Sequence, residues 1–403
     1  MCGITFILSK NKINIIDSIL NSIELIQNRG YDSMGICYYD NSYNNYKIIK
    51  YASTNINDCY DKLKETFINN NIKSYVGLGH TRWATHGSKT DINAHPHISE
   101  NKNIILVHNG IINNFNELRT FLTTKGYIFY SQTDTEVIAN LIEYYLLYNH
   151  MSIEDAIRTT INKLEGTWAL VIIYTKTPDT YYVTRKGSPL LLGNSNNYII
   201  CTSEINGFNG LLYDYIVLDN HDIIKISNND ITSISNDINN YNIKKISNDD
   251  IVNKLEGYKY WMLKEIEEQP ETIQKAYNYG GRILNNIVKL GGLERIKNTI
   301  TNFPILFVLL IGCGTSYNAG LIGAHYFNSG KNFILVECYN ACEFTEKNLP
   351  NIKNLSRVLC IFLSQSGETI DVYNSLKICK NKGCLTLGII NKVDSLLARN
   401  VDC

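Results

Sequence analysis

The sequence predicts an α/β protein in two parts: two stacked sheets with helices outside, then a parallel sheet wrapped by helices. Three observations carry this. The chain has 403 residues, too many for one ordinary core. Its first part alternates many β-rich runs with helical segments, and so many strands call for two sheets packed face to face. From Phe303 the runs turn continuously apolar with helices between them, the pattern of a sheet buried on both faces.

In chain order, β-rich runs fall at 34–40, 46–52, 103–112, 167–175, 181–185, 198–202 and 215–226. A helix is expected over 113–125, stopped by Gly126. Thr133-Asp134-Thr135-Glu136 has the form of a capping box opening a helix to Leu147. Together these define a first domain over 1–227. Residues 228–256 are rich in Asn, Ser, Asp and Lys and read as a linker. A helical lead-in follows over 257–302, interrupted at Pro270. The last domain, 303–403, places strands at 305–311, 333–336, 358–363 and 385–390. It repeats strand, polar turn and helix as a doubly wound domain does. Residues 400–403 fall where a further strand begins, so this domain is expected to be incomplete at its C-terminus.

Composition narrows the function. Lys+Arg and Asp+Glu are both 38, so the formal net charge is zero and points to neither nucleic acid nor an anionic membrane. No apolar run is long enough to span a bilayer, and Ile4 to Leu8 is too short for a signal peptide. The 11 cysteines include no C-x-x-C pair. That weakens zinc and thioredoxin-like readings and favours a reducing, cytoplasmic setting.

The chain opens Met-Cys-Gly-Ile. Removal of Met1 leaves Cys2 with both a thiol and a free α-amino group. Such an amine titrates near pH ~8 and can serve as the thiol's own base. A buried structural cysteine is the plainer alternative. Arg82 ends an apolar strand, where a guanidinium can clasp a carboxylate through two parallel hydrogen bonds. A surface ion pair is the bland reading. Asn109-Gly110 offers a side-chain amide and a backbone N–H of the kind that stabilises an oxyanion, or a plain Asn-Gly turn. Asp134 can hold an ammonium group or simply cap a helix. His80, His86, His95, His97 and His108 raise a metal site, given low weight because Pro96 breaks the alternation and no Cys is near. Neither a metal nor a cofactor is expected. Further on, Cys313-Gly314-Thr315-Ser316 and Ser364-Gln365-Ser366-Gly367-Glu368-Thr369 each follow a buried strand and open a helix. Both place hydroxyls and N–H groups where phosphate binds, although ordinary helix caps have the same composition. Neither carries the Lys of a nucleotide P-loop. Cys313 reads as a packing residue of its turn.

In this order the motifs resemble the glutamine–fructose-6-phosphate aminotransferase (isomerising) family, class II N-terminal-nucleophile amidotransferases. The residues carrying the resemblance are Met1-Cys2-Gly3-Ile4, Arg29-Gly30-Tyr31-Asp32-Ser33, the segment from Thr81 to Gly87, Asn93-Ala94-His95-Pro96-His97, His108-Asn109-Gly110, Thr133-Asp134-Thr135-Glu136 and the two Ser/Thr loops. The resemblance implies an N-terminal αββα sandwich of two antiparallel sheets as glutaminase domain, then a sugar-isomerase (SIS) domain. It implies that Cys2 attacks the glutamine amide, that Asn109 and Gly110 hold the oxyanion, and that Arg82 and Asp134 grip the α-carboxylate and α-ammonium. It places Trp83, Thr85 and His86 in that pocket and Arg29 in the neighbouring motif. Thr315, Ser316, Ser364, Gln365, Ser366 and Thr369 match contacts to fructose 6-phosphate. The implied reaction gives glucosamine 6-phosphate and glutamate, in a homodimer. Family members carry a second phosphosugar half with a Schiff-base Lys. The present residues lack it, so glutamine hydrolysis is the activity expected of them. Two alternatives share part of the pattern: another N-terminal-Cys amidotransferase, such as amidophosphoribosyltransferase or asparagine synthetase, and a non-catalytic phosphosugar-binding or regulatory protein whose Cys2 is blocked.

Overall fold

The computed structural model describes residues 2–54, 58–84, 87–227, 230–235, 241–246, 257–258, 260–285, 287–392 and 395–403. The chain divides into two compact units, Met1–Lys254 and Leu255–Cys403.

The first unit holds two antiparallel sheets. One is built around β1 (Gly3–Ser9), which pairs with β4 (Val76–Arg82) on one side and β10 (Tyr198–Thr202) on the other. Beyond β4 lie β2 (Ser33–Asp40) and β3 (Asn45–Ala52). Beyond β10 lie β9 (Leu191–Asn194), β11 (Asp214–Val217) and β14 (Lys244–Lys245). The second sheet runs β5 (His97–Ile98), β6 (Ile104–Ile112), β7 (Gly166–Tyr174), β8 (Thr180–Lys186), β12 (Ile223–Ser227), β13 (Asp230–Ser233).

Side chains alternate across each strand, and here both faces are buried. Ile4, Phe6 and Leu8 of β1 meet Ile105 and Val107 of β6 and Ala169, Val171 and Ile173 of β7 between the sheets. Ile7 turns the other way, onto α1 (Ile16–Leu25) and α2 (Asp58–Asn69). On the far side of the second sheet, Leu106, Leu170 and Ile172 pack against α3 (Phe115–Thr124), α4 (Thr135–Tyr148) and α5 (Ile153–Lys163). The result is the expected αββα sandwich of two antiparallel sheets.

Several local expectations differ. The run 215–226 is two strands, β11 and β12, in different sheets, separated by a turn over 218–222 that buries Leu218 and Asp222. Asn109-Gly110 does not enter a turn, because β6 continues to Ile112. No capping box forms at α4: Glu136 instead accepts from the N–H groups of Tyr130 and Ser131 in the preceding loop. In the polar stretch expected to be a linker, β13 and β14 each add a strand to a sheet. Residues 228–229, 236–240 and 247–256 lie outside those described.

In the second unit the pattern from Gly257 gives α6 (Trp261–Glu267) and α7 (Gln269–Ala276), with Pro270 in the first turn of α7, where its missing N–H costs nothing. A small hairpin, β15 (Ile283–Leu284) and β16 (Ile287–Val288), and α8 (Lys297–Asn302) follow, so the lead-in is not continuous helix. The parallel sheet has strands β17 (Phe307–Gly312), β18 (Leu335–Asn340), β19 (Val358–Ser364) and β20 (Leu385–Ile390), in the order β18-β17-β19-β20. Helix α9 (Thr315–Ser329) sends Ala324 onto the face of Val308 and Leu310. Helix α10 (Ile370–Asn381) packs Val372, Leu376 and Cys379 onto Leu309 and Ile311, the opposite face. At Cys403 the backbone makes both bonds of a parallel bridge, to Thr386 O and from Gly388 N, along the outer side of β20.

Candidate active site

Strand pairing brings the N-terminal residue pair of β1 against the end of β4: Gly3 faces Thr81, so Cys2 lies beside Arg82 and Trp83. The Trp83 N–H donates to Cys2 Sγ across 3.3 Å. The Cys2 carbonyl is held twice, by Arg29 Nε at 2.8 Å and Asn109 Nδ2 at 2.9 Å. Arg29 is itself anchored by Glu204, 3.4 Å away and nearly buried. Asn109 is oriented by His80, whose Nε2 lies 3.0 Å from Asn109 Oδ1. A residue of the short helical turn Gln27–Arg29 and one of β6 therefore fix the backbone of Cys2. Burial raises the Cys2 thiol pKa; the Trp83 N–H and the Arg82 and Arg29 charges oppose this but do not cancel it. At neutral pH the sulfur keeps its proton, so nucleophilic attack needs a base.

A small pocket opens beside Cys2, walled by Arg82, Trp83, His95, His108, Gly110, Thr133, Asp134 and Thr135. Arg82 is only 3% exposed, which removes the surface-ion-pair reading. Its guanidinium donates to the carbonyls of Gly87 and Ser88. Burial lowers its pKa, and the charges of Cys2, Asp32 and Asp134 counter that. Asp134 begins α4, yet its side chain caps nothing: Oδ2 accepts from Ile112 N at 2.9 Å, tying the helix start to the end of β6. Gly110 has φ +139°, and a Cβ there would lie 2.1 Å from the Thr167 carbonyl. Only glycine suits that position. Trp83 is 45% exposed and packs edge-on against Tyr31 at 5.4 Å. Thr85 and His86 lie outside the described residues.

Four of the five histidines come together, and two of them, His95 and His108, wall the pocket. His80 stacks on His95 at 4.0 Å, and His95 meets His97 edge-on at 4.7 Å. Thr135 Oγ1 joins His95 Nε2 at 2.9 Å to His108 Nδ1 at 3.1 Å. Burial lowers the His80 pKa to about 3 and drives those of His95 and His97 down as well, so all three are neutral.

Sequence reasoning missed the supports. Lys50, on β3, gives its ammonium to the carbonyls of Ala94 and Pro96 and so fixes the loop carrying His95. Burial lowers its pKa to about 8. Glu143, fully buried on α4, accepts from Ser99, Asn101 and Asn103 and locks the helix to the β5–β6 connection. Glu204 and Asp32, the latter accepting from Ala84 N at 2.9 Å, complete the frame. No local pattern marks Lys50, Glu143 or Glu204, because their partners are far off in sequence.

In the second unit both Ser/Thr loops leave the same end of adjacent parallel strands, β17 and β19. The chain leaves β17 toward β18 on one side and reaches β19 on the other, so the loops flank the topological switch point where such folds bind ligands. Neither loop uses a hydroxyl as an ordinary cap: the N-cap positions are Gly314 and Thr369, without side-chain cap bonds. Thr315 and Gln365 are exposed, while Ser316, Ser366 and Thr369 are half-buried. Ser364 is buried and accepts from Gly367 N at 2.9 Å, which shapes the second loop.

A family profile described as a glutamine amidotransferase domain matches residues 61–257, and one described as a SIS domain matches 308–403. A probable glutamine–fructose-6-phosphate aminotransferase (isomerizing) from Acanthamoeba polyphaga mimivirus is 36% identical over 405 residues, covering 100% of this chain and 64% of that protein. The enzyme so named from Clostridium acetobutylicum is 35% identical, covering 100% and 63%. The chain thus spans just under two thirds of the length of these relatives. Among solved structures, a glutamine phosphoribosylpyrophosphate amidotransferase from B. subtilis is similar over 97% of this chain and 82% of its own, with 17% identity and a TM-score of 0.49. Among the described residues no helix is long and apolar enough to cross a membrane.

Proposed function

The chain belongs to the glutamine–fructose-6-phosphate aminotransferase family, and on that premise we propose that it hydrolyses glutamine with Cys2 as the nucleophile. The observation that carries this reading is the placement of Cys2 Sγ at the mouth of a pocket walled by one buried cation, Arg82, and one buried anion, Asp134. A free α-amino acid presents the complementary pair. A ligand lacking either group forgoes one of these two charge-assisted contacts and binds less well.

In this proposal Met1 is removed and the freed amine of Cys2 takes the thiol proton. The sulfur adds to the side-chain amide carbon of glutamine. Asn109 has a second N–H besides the one given to the Cys2 carbonyl, and with Gly110 it faces the developing oxyanion. The C–N bond breaks and ammonia leaves with the proton the amine held. Water then cleaves the γ-glutamyl thioester to glutamate. Trp83 lines the same pocket, and Arg29 holds the backbone of the nucleophile.

For the second unit we infer a sugar phosphate bound by Thr315, Ser316, Ser364, Gln365, Ser366 and Thr369, with fructose 6-phosphate, the sugar in the relatives' names, as the acceptor of ammonia. Domain limits at 1–227 and 303–403, and a homodimer, belong to the same proposal. Glutamine hydrolysis is the step for which the residues are at hand, and it is the one to measure. The purified chain should release glutamate from glutamine, and Cys2→Ala should lower the rate at least a thousandfold, with Cys2→Ser retaining little. Turnover that survives Cys2→Ala would refute the assignment.

A further inference from the structure

We infer that Cys313, Cys342 and Asp371 form a binding site for a thiophilic divalent cation, with Zn2+ the best fit. This inference is independent of the glutamine-hydrolysis reading.

The three residues come from separate elements that end at the same edge of the parallel sheet. Cys313 follows β17, Cys342 lies in the turn Ala341–Glu343 after β18, and Asp371 is in the first turn of α10. Their candidate ligand atoms lie within 4.8 Å of one another. The two sulfurs are 3.7 Å apart, and Cys342 Sγ is 3.4 Å from Asp371 Oδ2. A tetrahedral zinc ion with Zn–S of about 2.3 Å and Zn–O of about 2.0 Å sets S···S near 3.8 Å and S···O near 3.5 Å. Both separations match edges of that tetrahedron, and the remaining one, Cys313 to Asp371, lies within 4.8 Å and closes to about 3.5 Å around the ion. Two thiolates and one carboxylate give a soft, anionic donor set that prefers zinc to magnesium or calcium. Binding releases the proton of each thiol to solvent. Three protein ligands leave the fourth position for water.

The spacing, with Cys342 lying 29 residues from each partner, resembles no short zinc signature, which is why the sequence gives no sign of it. A cation here ties the start of the Gly314-Thr315-Ser316 loop to the end of β18 and to α10. It therefore holds one rim of the switch-point crevice.

The test uses the full chain, reduced, stripped with a chelator and titrated with Co2+. One equivalent should bind with a thiolate-to-cobalt charge-transfer absorption and the visible bands of a tetrahedral centre, and Zn2+ should displace it. Cys342 is exposed, so Cys342→Ser leaves folding intact and should weaken binding at least tenfold. Asp371→Asn should weaken it also, and Cys403→Ser should leave it unchanged. A reduced chain that shows no such absorption overturns the inference. So does a tetrahedral spectrum that persists unchanged in Cys342→Ser.

Discussion

At the scale of single residues, the first unit is organised around keeping one backbone carbonyl still. Arg29 and Asn109 reach Cys2 O from different elements, and each is braced in turn, by Glu204 and His80. Sequence alone left Cys2, Arg82, Asn109 and Asp134 each with a bland alternative. Burial removes it for Arg82, and Asp134 spends its carboxylate on Ile112 N rather than on a cap. The histidines have a measurable consequence. His80, His95 and His97 are neutral when folded, because burial depresses their pKa values, whereas an unfolded histidine titrates near 6.5. Below that pH the unfolded chain binds protons that the folded chain does not. Stability is therefore full above pH ~6.5 and is lost as pH falls toward the folded values, by about 1.4 kcal/mol per pH unit for each histidine. Urea unfolding of the first unit should shift to lower midpoints between pH 7 and 5, with protons taken up on unfolding. A flat midpoint over that range contradicts the buried neutral cluster.

At the scale of elements, apolar periodicity and β-rich composition made most strands legible, because each strand packs on both faces and carries long apolar runs. What periodicity cannot reveal is where a continuous apolar stretch changes partners. Thus 215–226 reads as one strand but serves two sheets, and the Asn-rich stretch after it still supplies β13 and β14. The expected capping box at α4 failed for a related reason: the Thr133-to-Glu136 pattern is local, but Glu136 found better donors in a loop that folds back over it. In the second unit, the loop after β19 depends on Gly367, whose φ is +66° and whose Cβ position is blocked by Ser395 Oγ at 1.9 Å. Gly367→Ala should therefore distort the loop. Calorimetry should show fructose 6-phosphate bound at least tenfold more weakly, with glutamine hydrolysis unaffected. Equal sugar-phosphate binding by the variant and the parent chain counts against that loop as the phosphate site.

At the scale of the whole molecule, two compact units of different sheet type lie on one chain. One is antiparallel with Cys2 at the start of its central strand, and one is parallel with a crevice at its switch point. This division was legible from the change of texture near Phe303, since a doubly covered parallel sheet has a composition unlike that of a sandwich. Most candidate site residues were legible too, because their chemistry demands particular residue types. The supports Lys50, Glu143 and Glu204 and the Cys313–Cys342–Asp371 group were not, because only the fold brings those residues to their partners. The proposed role of Cys2 is tested most directly by one measurement. The chain is treated with a glutamine analogue bearing an electrophilic diazoketone in place of the amide, and then mapped by peptide mass spectrometry. Met1 should be absent and a single adduct should sit on Cys2, with the other ten of the 11 cysteines unmodified. An adduct on another cysteine, or retained Met1 in a chain that still hydrolyses glutamine, contradicts that role.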